Sequence, residues 1–264
     1  MLKLQKSLIG MIHLPAMPGC PNNTLKPDQI IEQALTEAKI YSNCGMEILM
    51  IENMHDVPYM KNVSGDEVTS LMAIIGYEIK RQTGLPVGIQ ILAGANKQAL
   101  AAAYSANLDF IRAEGFVFGH VADEGYIESC AGELLRYRKQ IGAENIAVFT
   151  DIKKKHSSHS ITNDTSVAET AKAAQFFLSD GIILTGSATG KEPILDEVKQ
   201  VKEAVSIPII LGSGISVNNV ELFFPFADGF IVGSAFKNEE KWFNPLNELS
   251  ISKFIQKFNS LKNA

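Results

Sequence analysis

The chain has 264 residues, 46% of them hydrophobic, and a net charge of −5, which suits one large domain around a buried core. This acidic balance supplies no basic field to hold nucleic acid or an anionic membrane, so any phosphate must be bound by local groups. No apolar run approaches the ~18 to 20 residues that span a bilayer, which excludes insertion as a transmembrane helix.

Taken in chain order, short apolar runs alternate with longer stretches of helical period, the pattern of parallel βα units. The predicted strands are Ser7–Leu14, Met46–Glu52, Pro86–Leu92, Asp109–Glu114, Asn145–Asp151, Gly181–Thr185, Ile207–Leu211 and Gly229–Val232. The first run lacks a small-residue cleavage site and continues into His13, so it reads as a strand, not a signal. The intervening helices are predicted at Asp28–Cys44, Asp66–Thr83, Lys97–Ser105, Glu128–Ile141, Val167–Leu178, Ile194–Ala204 and Val217–Phe223, with Leu249–Leu261 closing the series. Gly45, Gly84 and Gly142 fall just past helix ends, where a left-handed residue is commonly needed, and Thr162 to Thr165 offers N-caps for the fifth helix. No linker or charge block interrupts the eight units. The expectation is therefore a single-domain α/β protein, a (β/α)8 TIM barrel over residues 1–264, with a doubly wound open sheet as the alternative.

A barrel gathers the polar residues at its strand ends on one mouth. His13, Glu52, Asn53, Gln90, Arg112, Glu114 and Asp151 fall there from strands 1 to 5, with Thr185, Gly186 and Ser187 from strand 6. Two glycine turns follow the last two strands, Gly212-Ser213-Gly214 and Gly233-Ser234. In this position their backbone N–H groups would form a divided phosphate clamp. Alternation carried past Asp151 would place Lys153 and Lys155 on its side, so that one of them reaches the mouth as base, imine former or anion clamp, and the surrounding carboxylates would keep it protonated and favour the clamp. Each residue has a plain structural reading as well: glycines make tight turns, and Asp151 or Glu52 could be neutralised by Arg112 or Lys153 in a layer of barrel ion pairs. His156 and His159 are too weakly spaced to predict a metal, and Cys20, Cys44 and Cys130 fit neither zinc nor a disulfide framework. Neither metal nor cofactor is predicted, and the thiols suit a reducing cytoplasm.

Seven strings in order, MIHLPAMPG (11–19), IENMHDVPY (51–59), AGELLRYRKQIGAENI (131–146), DIKKKH (151–156), TGSATG (185–190), LGSGIS (211–216) and ADGFIVGSAFK (227–237), resemble the BtpA/SgcQ family. The resemblance covers nearly the whole chain and implies a TIM barrel whose clamp is similar to that of phosphoribosylanthranilate isomerase. It also implies functional weight at His13, Glu52, Asn53, Asp56, Asp123, Gly125, Arg136, Arg138, Asp151, Lys155, His156, Thr185, Gly186, Ser187, Gly212, Gly214 and Gly233. The sequence departs from the family pattern at Gln90 to Ala95, at Ala113-Glu114 and at Lys153, which suggests a branch with its own substrate.

Two functions follow as expectations. In the first, a cytoplasmic enzyme, as a monomer or a homo-oligomer, holds a small phosphorylated sugar, phosphoribosyl or nucleoside-type substrate with the two turns and the hydroxyls of Ser213, Ser234 and Ser187. Glu52 and Asp151 then share acid and base roles, with His13, Glu114 and Lys155 or Arg112 as further catalytic candidates, in an isomerase, lyase or glycosidic reaction. In the second, implied by the family name, the barrel is a non-catalytic assembly or regulatory factor of photosystem I biogenesis. The aromatic runs Phe223-Phe224-Pro-Phe226 and Trp242-Phe243 would be its contact surface, though packing against the barrel is their simpler use.

Overall fold

The computed structural model describes residues 2–186 and 190–263. Eight parallel strands close into a barrel: β1 Ser7–His13, β2 Ile48–Glu52, β3 Val87–Gln90, β4 Phe110–Ala113, β5 Ala147–Asp151, β6 Gly181–Thr185, β7 Ile209–Gly212 and β8 Gly229–Val232, with β8 paired to β1. The helices between them are α1 Pro27–Asn43, α2 Asp66–Thr83, α3 Asn96–Ser105, α4 Ala131–Gln140, α5 Val167–Phe176, α6 Leu195–Ala204 and α7 Val220–Phe223, and α8 Glu248–Lys262 follows the last strand. This is the (β/α)8 barrel expected, not the open sheet.

Strand residues alternate between two apolar populations. Ile9, Met11, Met50, Phe110, Phe149, Ile183, Ile210 and Ile231 point inward and fill the barrel, while the residues between them join the core against the helices. Two rings dominate the interior, Phe110 and Phe149, with centroids 5.3 Å apart. They fit because their neighbours lack side chains: a Cβ on Gly88 would lie 2.1 Å from the Phe110 ring, and one on Gly181 would lie 2.9 Å from that of Phe149. The same parity brings His13, Glu52, Gln90, Arg112, Asp151 and Thr185 inward one layer above, at the C-terminal end.

Gly45, Gly84 and Gly142 take positive φ of 86°, 69° and 73° just past their helices, as the sequence implies. The cap of α5 is not in the Thr162–Thr165 segment but one residue later, at Ser166, which forms a capping box with Glu169. α7 is cut to one turn because Asn219, inside the predicted helix, turns its side chain back to cap Ser216 and the Gly214 carbonyl. A small antiparallel sheet, His120–Ala122, Gly125–Ile127 and Ser157–Ser158, lies outside the barrel and joins the β4–α4 and β5–α5 loops. Asp123 and Glu124 form the two-residue turn of its hairpin, with Gly125 after them at φ 106°. Among the described residues no helix is long and apolar enough to cross a membrane.

Candidate active site

A cavity of about 1100 Å³ opens at the C-terminal ends of the strands. His13, Glu52, Arg112 and Lys155 line one side of it. Thr185 and Gly186 lie beyond, with Ser213, Gly214, Gly233 and Ser234 from the two glycine turns. Asn53, Glu114, Asp151 and Gly212 are not on this wall, and Ser187 falls outside the described residues.

The charged groups sort into pairs. Arg112 is held face to face with Asp151, Nε donating to Oδ2 at 2.6 Å and Nη2 to Oδ1 at 2.8 Å, with both side chains almost fully buried. Desolvation alone would weaken the guanidinium as a cation, but Asp151, Glu52 and Glu114 more than reverse this and raise its pKa. Glu114 accepts from Gln90 at one oxygen, 3.0 Å, and from Lys154 at the other, 2.9 Å. Its pKa is raised because burial outweighs the neighbouring ammonium. Asn53 is also committed: its oxygen accepts from the Leu92 amide at 2.8 Å and its nitrogen donates to Asp56 at 3.0 Å, tying the β2 and β3 loops together.

The lysine run does not continue the strand alternation. β5 ends at Asp151, and Lys153 adopts φ 45°, which turns its ammonium to the Thr162 carbonyl at 2.8 Å. Lys154 then faces Glu114, and Lys155 reaches across the mouth to donate to Ser213 Oγ at 3.0 Å. Burial and the nearby Arg112 lower the Lys155 pKa against the pull of Glu52, Asp151 and Glu114. Ser213, which accepts this bond, is itself in the left-handed region at φ 62°. The Glu52 carboxylate lines the cavity and accepts no hydrogen bond from the described residues.

His13 is oriented by a residue that sequence reasoning left to packing. Its Nδ1 lies 3.2 Å from the carbonyl of Trp242, which can only accept, so Nδ1 carries the proton and Nε2 keeps a lone pair. Gly233 makes room for this ring, since a Cβ there would lie 2.8 Å from His13 Cε1. Burial, Lys237 and Lys155 lower the His13 pKa to about 3, so the imidazole is neutral at pH 7. The unfolded chain takes up a proton near pH 6.5 that the folded chain refuses until about 3, so acidification through that window favours unfolding. Compared with His13→Asn, the wild type should lose on the order of 4 kcal/mol more stability between pH 7 and 3 in urea titrations. Parallel losses in the two proteins would show that His13 titrates normally.

The glycine turns are packed for close backbone approach. Gly214, at φ 65°, stands where a Cβ would be 2.2 Å from the Glu192 amide, and a Cβ on Gly186 would be 2.1 Å from the Lys191 carbonyl oxygen. The amides of Ser213, Gly214, Gly233 and Ser234 donate to no acceptor among the described residues. Thr185 Oγ1 is buried and likewise unpartnered among them. Sequence reasoning missed Lys154, Trp242 and Asn219, whose roles depend on loops far apart in the chain. The described residues contain no cluster of three or more His, Cys, Asp or Glu able to hold a metal ion.

An eight-stranded parallel barrel with its polar groups at the C-terminal mouth defines a TIM-barrel protein. The chain belongs to the BtpA family, whose model matches residues 4–260. It is 51% identical over 260 residues to a Caenorhabditis elegans protein named as mitochondrial, covering 97% of this chain and 94% of that one. It is 31% identical over 252 residues to the photosystem I biogenesis protein BtpA of Synechocystis, covering 94% and 86%. Among solved structures, 3-hexulose-6-phosphate synthase from Salmonella typhimurium aligns at TM-score 0.62 with 13% identity, over 97% of this chain and 99% of that chain. (S)-3-O-geranylgeranylglyceryl phosphate synthase from Thermoplasma acidophilum, solved with sn-glycerol-1-phosphate, aligns at 0.61 with 17% identity over 97% and 94%. At these identities the likeness is one of fold.

Proposed function

We propose that the chain is an enzyme acting on a small phosphorylated sugar or phosphoribosyl-type compound. The observation that carries this reading is the set of four backbone amides, on Ser213, Gly214, Gly233 and Ser234, that donate to no described acceptor and line one cavity with Glu52, His13 and Lys155. These half-buried donors face the cavity together, and a phosphate dianion would satisfy several at once. Ser213 and Ser234 add hydroxyls beside them. Glu52 is the acid or base of this reading and the neutral His13 its partner through Nε2, while Asp151 holds Arg112 in place as a fixed positive charge. An isomerisation, a lyase step and glycosidic cleavage all use this equipment. The two fold neighbours whose names include phosphorylated compounds agree with the reading. A role in biogenesis, as the name of the Synechocystis relative has it, would leave the Glu52, His13 and Lys155 wall of the cavity without a chemical use. We place the reaction in the cytoplasm, and the C. elegans name makes the mitochondrion the other compartment to examine.

Ribose 5-phosphate, screened with other phosphosugars by thermal shift, is expected to raise Tm by several degrees near 100 Kd, where binding contributes about 2.7 kcal/mol. Gly214→Ala, which pushes a methyl into the Lys191–Glu192 backbone, and Gly233→Val, which displaces His13, should each weaken that binding at least tenfold. Affinity unchanged in both folded variants would remove the phosphate from these turns.

A further inference from the structure

We propose that Lys155 is a covalent nucleophile that forms an imine with the carbonyl carbon of a phosphorylated aldose or ketose. The inference rests on the phosphate reading above and names the chemistry next to it. Three consecutive lysines leave β5, and their partners differ in kind. Lys153 donates to a backbone carbonyl and Lys154 to the carboxylate of Glu114. Lys155 donates to the hydroxyl of Ser213, within the turn proposed to hold phosphate. Of the carboxylates around it, Asp151 gives both oxygens to Arg112 and Glu114 gives one to Gln90 and one to Lys154, while Glu52 lines the same cavity as the amine. An amine beside the phosphate turn, in the cavity lined by Glu52 and His13, is positioned to meet a carbonyl carbon of a ligand whose phosphate sits on that turn.

Burial and the nearby Arg112 work in the same direction, since they favour the neutral amine that must attack. As the C–N bond forms, the carbonyl π pair moves to oxygen. That oxygen collects the two protons given up by the ammonium, carried by Glu52 and by Nε2 of His13, and leaves as water. The net change is ammonium plus carbonyl to iminium plus water, so no oxidant, reductant or further co-reactant is needed. The iminium then serves as the electron sink for an isomerisation or a carbon–carbon cleavage, which narrows the reactions available to this mouth.

The test is reductive trapping. The full chain is incubated with ribose 5-phosphate or dihydroxyacetone phosphate, and in parallel with ribose or dihydroxyacetone, then treated with borohydride and analysed by intact and peptide mass spectrometry. The expected result is one adduct on Lys155 with the phosphorylated compounds, lost in Lys155→Met and in Lys155→Arg while both variants keep a cooperative thermal transition. A stabilising shift from the phosphorylated compounds with no adduct at Lys155 would overturn the imine and leave the phosphate site standing. An adduct at Lys155 of equal yield with and without the phosphate would keep the imine and remove the phosphate site. Label spread over surface lysines with Lys155 unmodified would overturn the imine as well.

Discussion

Asp151→Ala is expected to destabilise the protein by about 3–5 kcal/mol, because it leaves a buried guanidinium without its counter-charge. Arg112 and Asp151 meet through two parallel hydrogen bonds of 2.6 and 2.8 Å, and their side chains retain 6% and 1% exposure. Arg112 remains a cation in the variant, since a guanidinium keeps its proton even when desolvated, and it cannot escape the difficulty by becoming neutral. At ~2–4 °C per kcal/mol, Tm should fall by roughly 6–20 °C, and urea unfolding should show the same loss. Replacing both partners, Arg112→Met with Asp151→Leu, should recover most of the stability, because the isolated charge is then gone. A loss below about 1 kcal/mol for Asp151→Ala would mean that Glu52 or Glu114 takes over the guanidinium, and that the pair does not hold the mouth in place.

Glu52→Gln is expected to have the largest effect on chemistry. The substitution keeps shape and hydrogen-bonding capacity but removes the carboxylate that faces the cavity, and loss of a general acid or base commonly costs 10²–10⁴-fold in rate. Turnover of the phosphorylated ligand found by thermal shift should fall by about that factor, or roughly 3–5 kcal/mol of transition-state stabilisation. Affinity for the ligand should change only a few-fold, because the phosphate would sit on the turns after β7 and β8. Turnover within a factor of ten of wild type would take the acid/base role away from Glu52. The same measurement on His13→Asn would then show whether Nε2 carries it.

The barrel was legible because its strands obey one local rule. Each run is apolar on both faces, buried inside by the barrel and outside by the helices, and each ends on a residue that changes character, such as His13, Glu52 or Asp151. Alternation within a strand also placed Arg112 and Thr185 at the mouth. The reading failed where the chain left regular structure. It carried alternation beyond Asp151, whereas Lys153 enters the left-handed region and turns to the Thr162 carbonyl, so that of the expected pair Lys155 is the one that donates to Ser213. The capping Asn219 and the Trp242 carbonyl were out of reach for the same reason, since a side chain in a loop takes its partner from whatever the fold brings near.

Composition, periodicity and the order of the motifs thus determined the fold class, the end of the barrel that carries the polar groups, and the family. Those properties depend on patterns that repeat along the chain and are read locally. Only the tertiary structure decided which charges neutralise each other, Asp151 with Arg112 and Glu114 with Lys154, and that Lys155 donates to the Ser213 hydroxyl, 58 positions away. Pairing depends on through-space distances of about 3 Å between loops, and on desolvation set by every surrounding atom, neither of which is encoded in any single stretch of sequence.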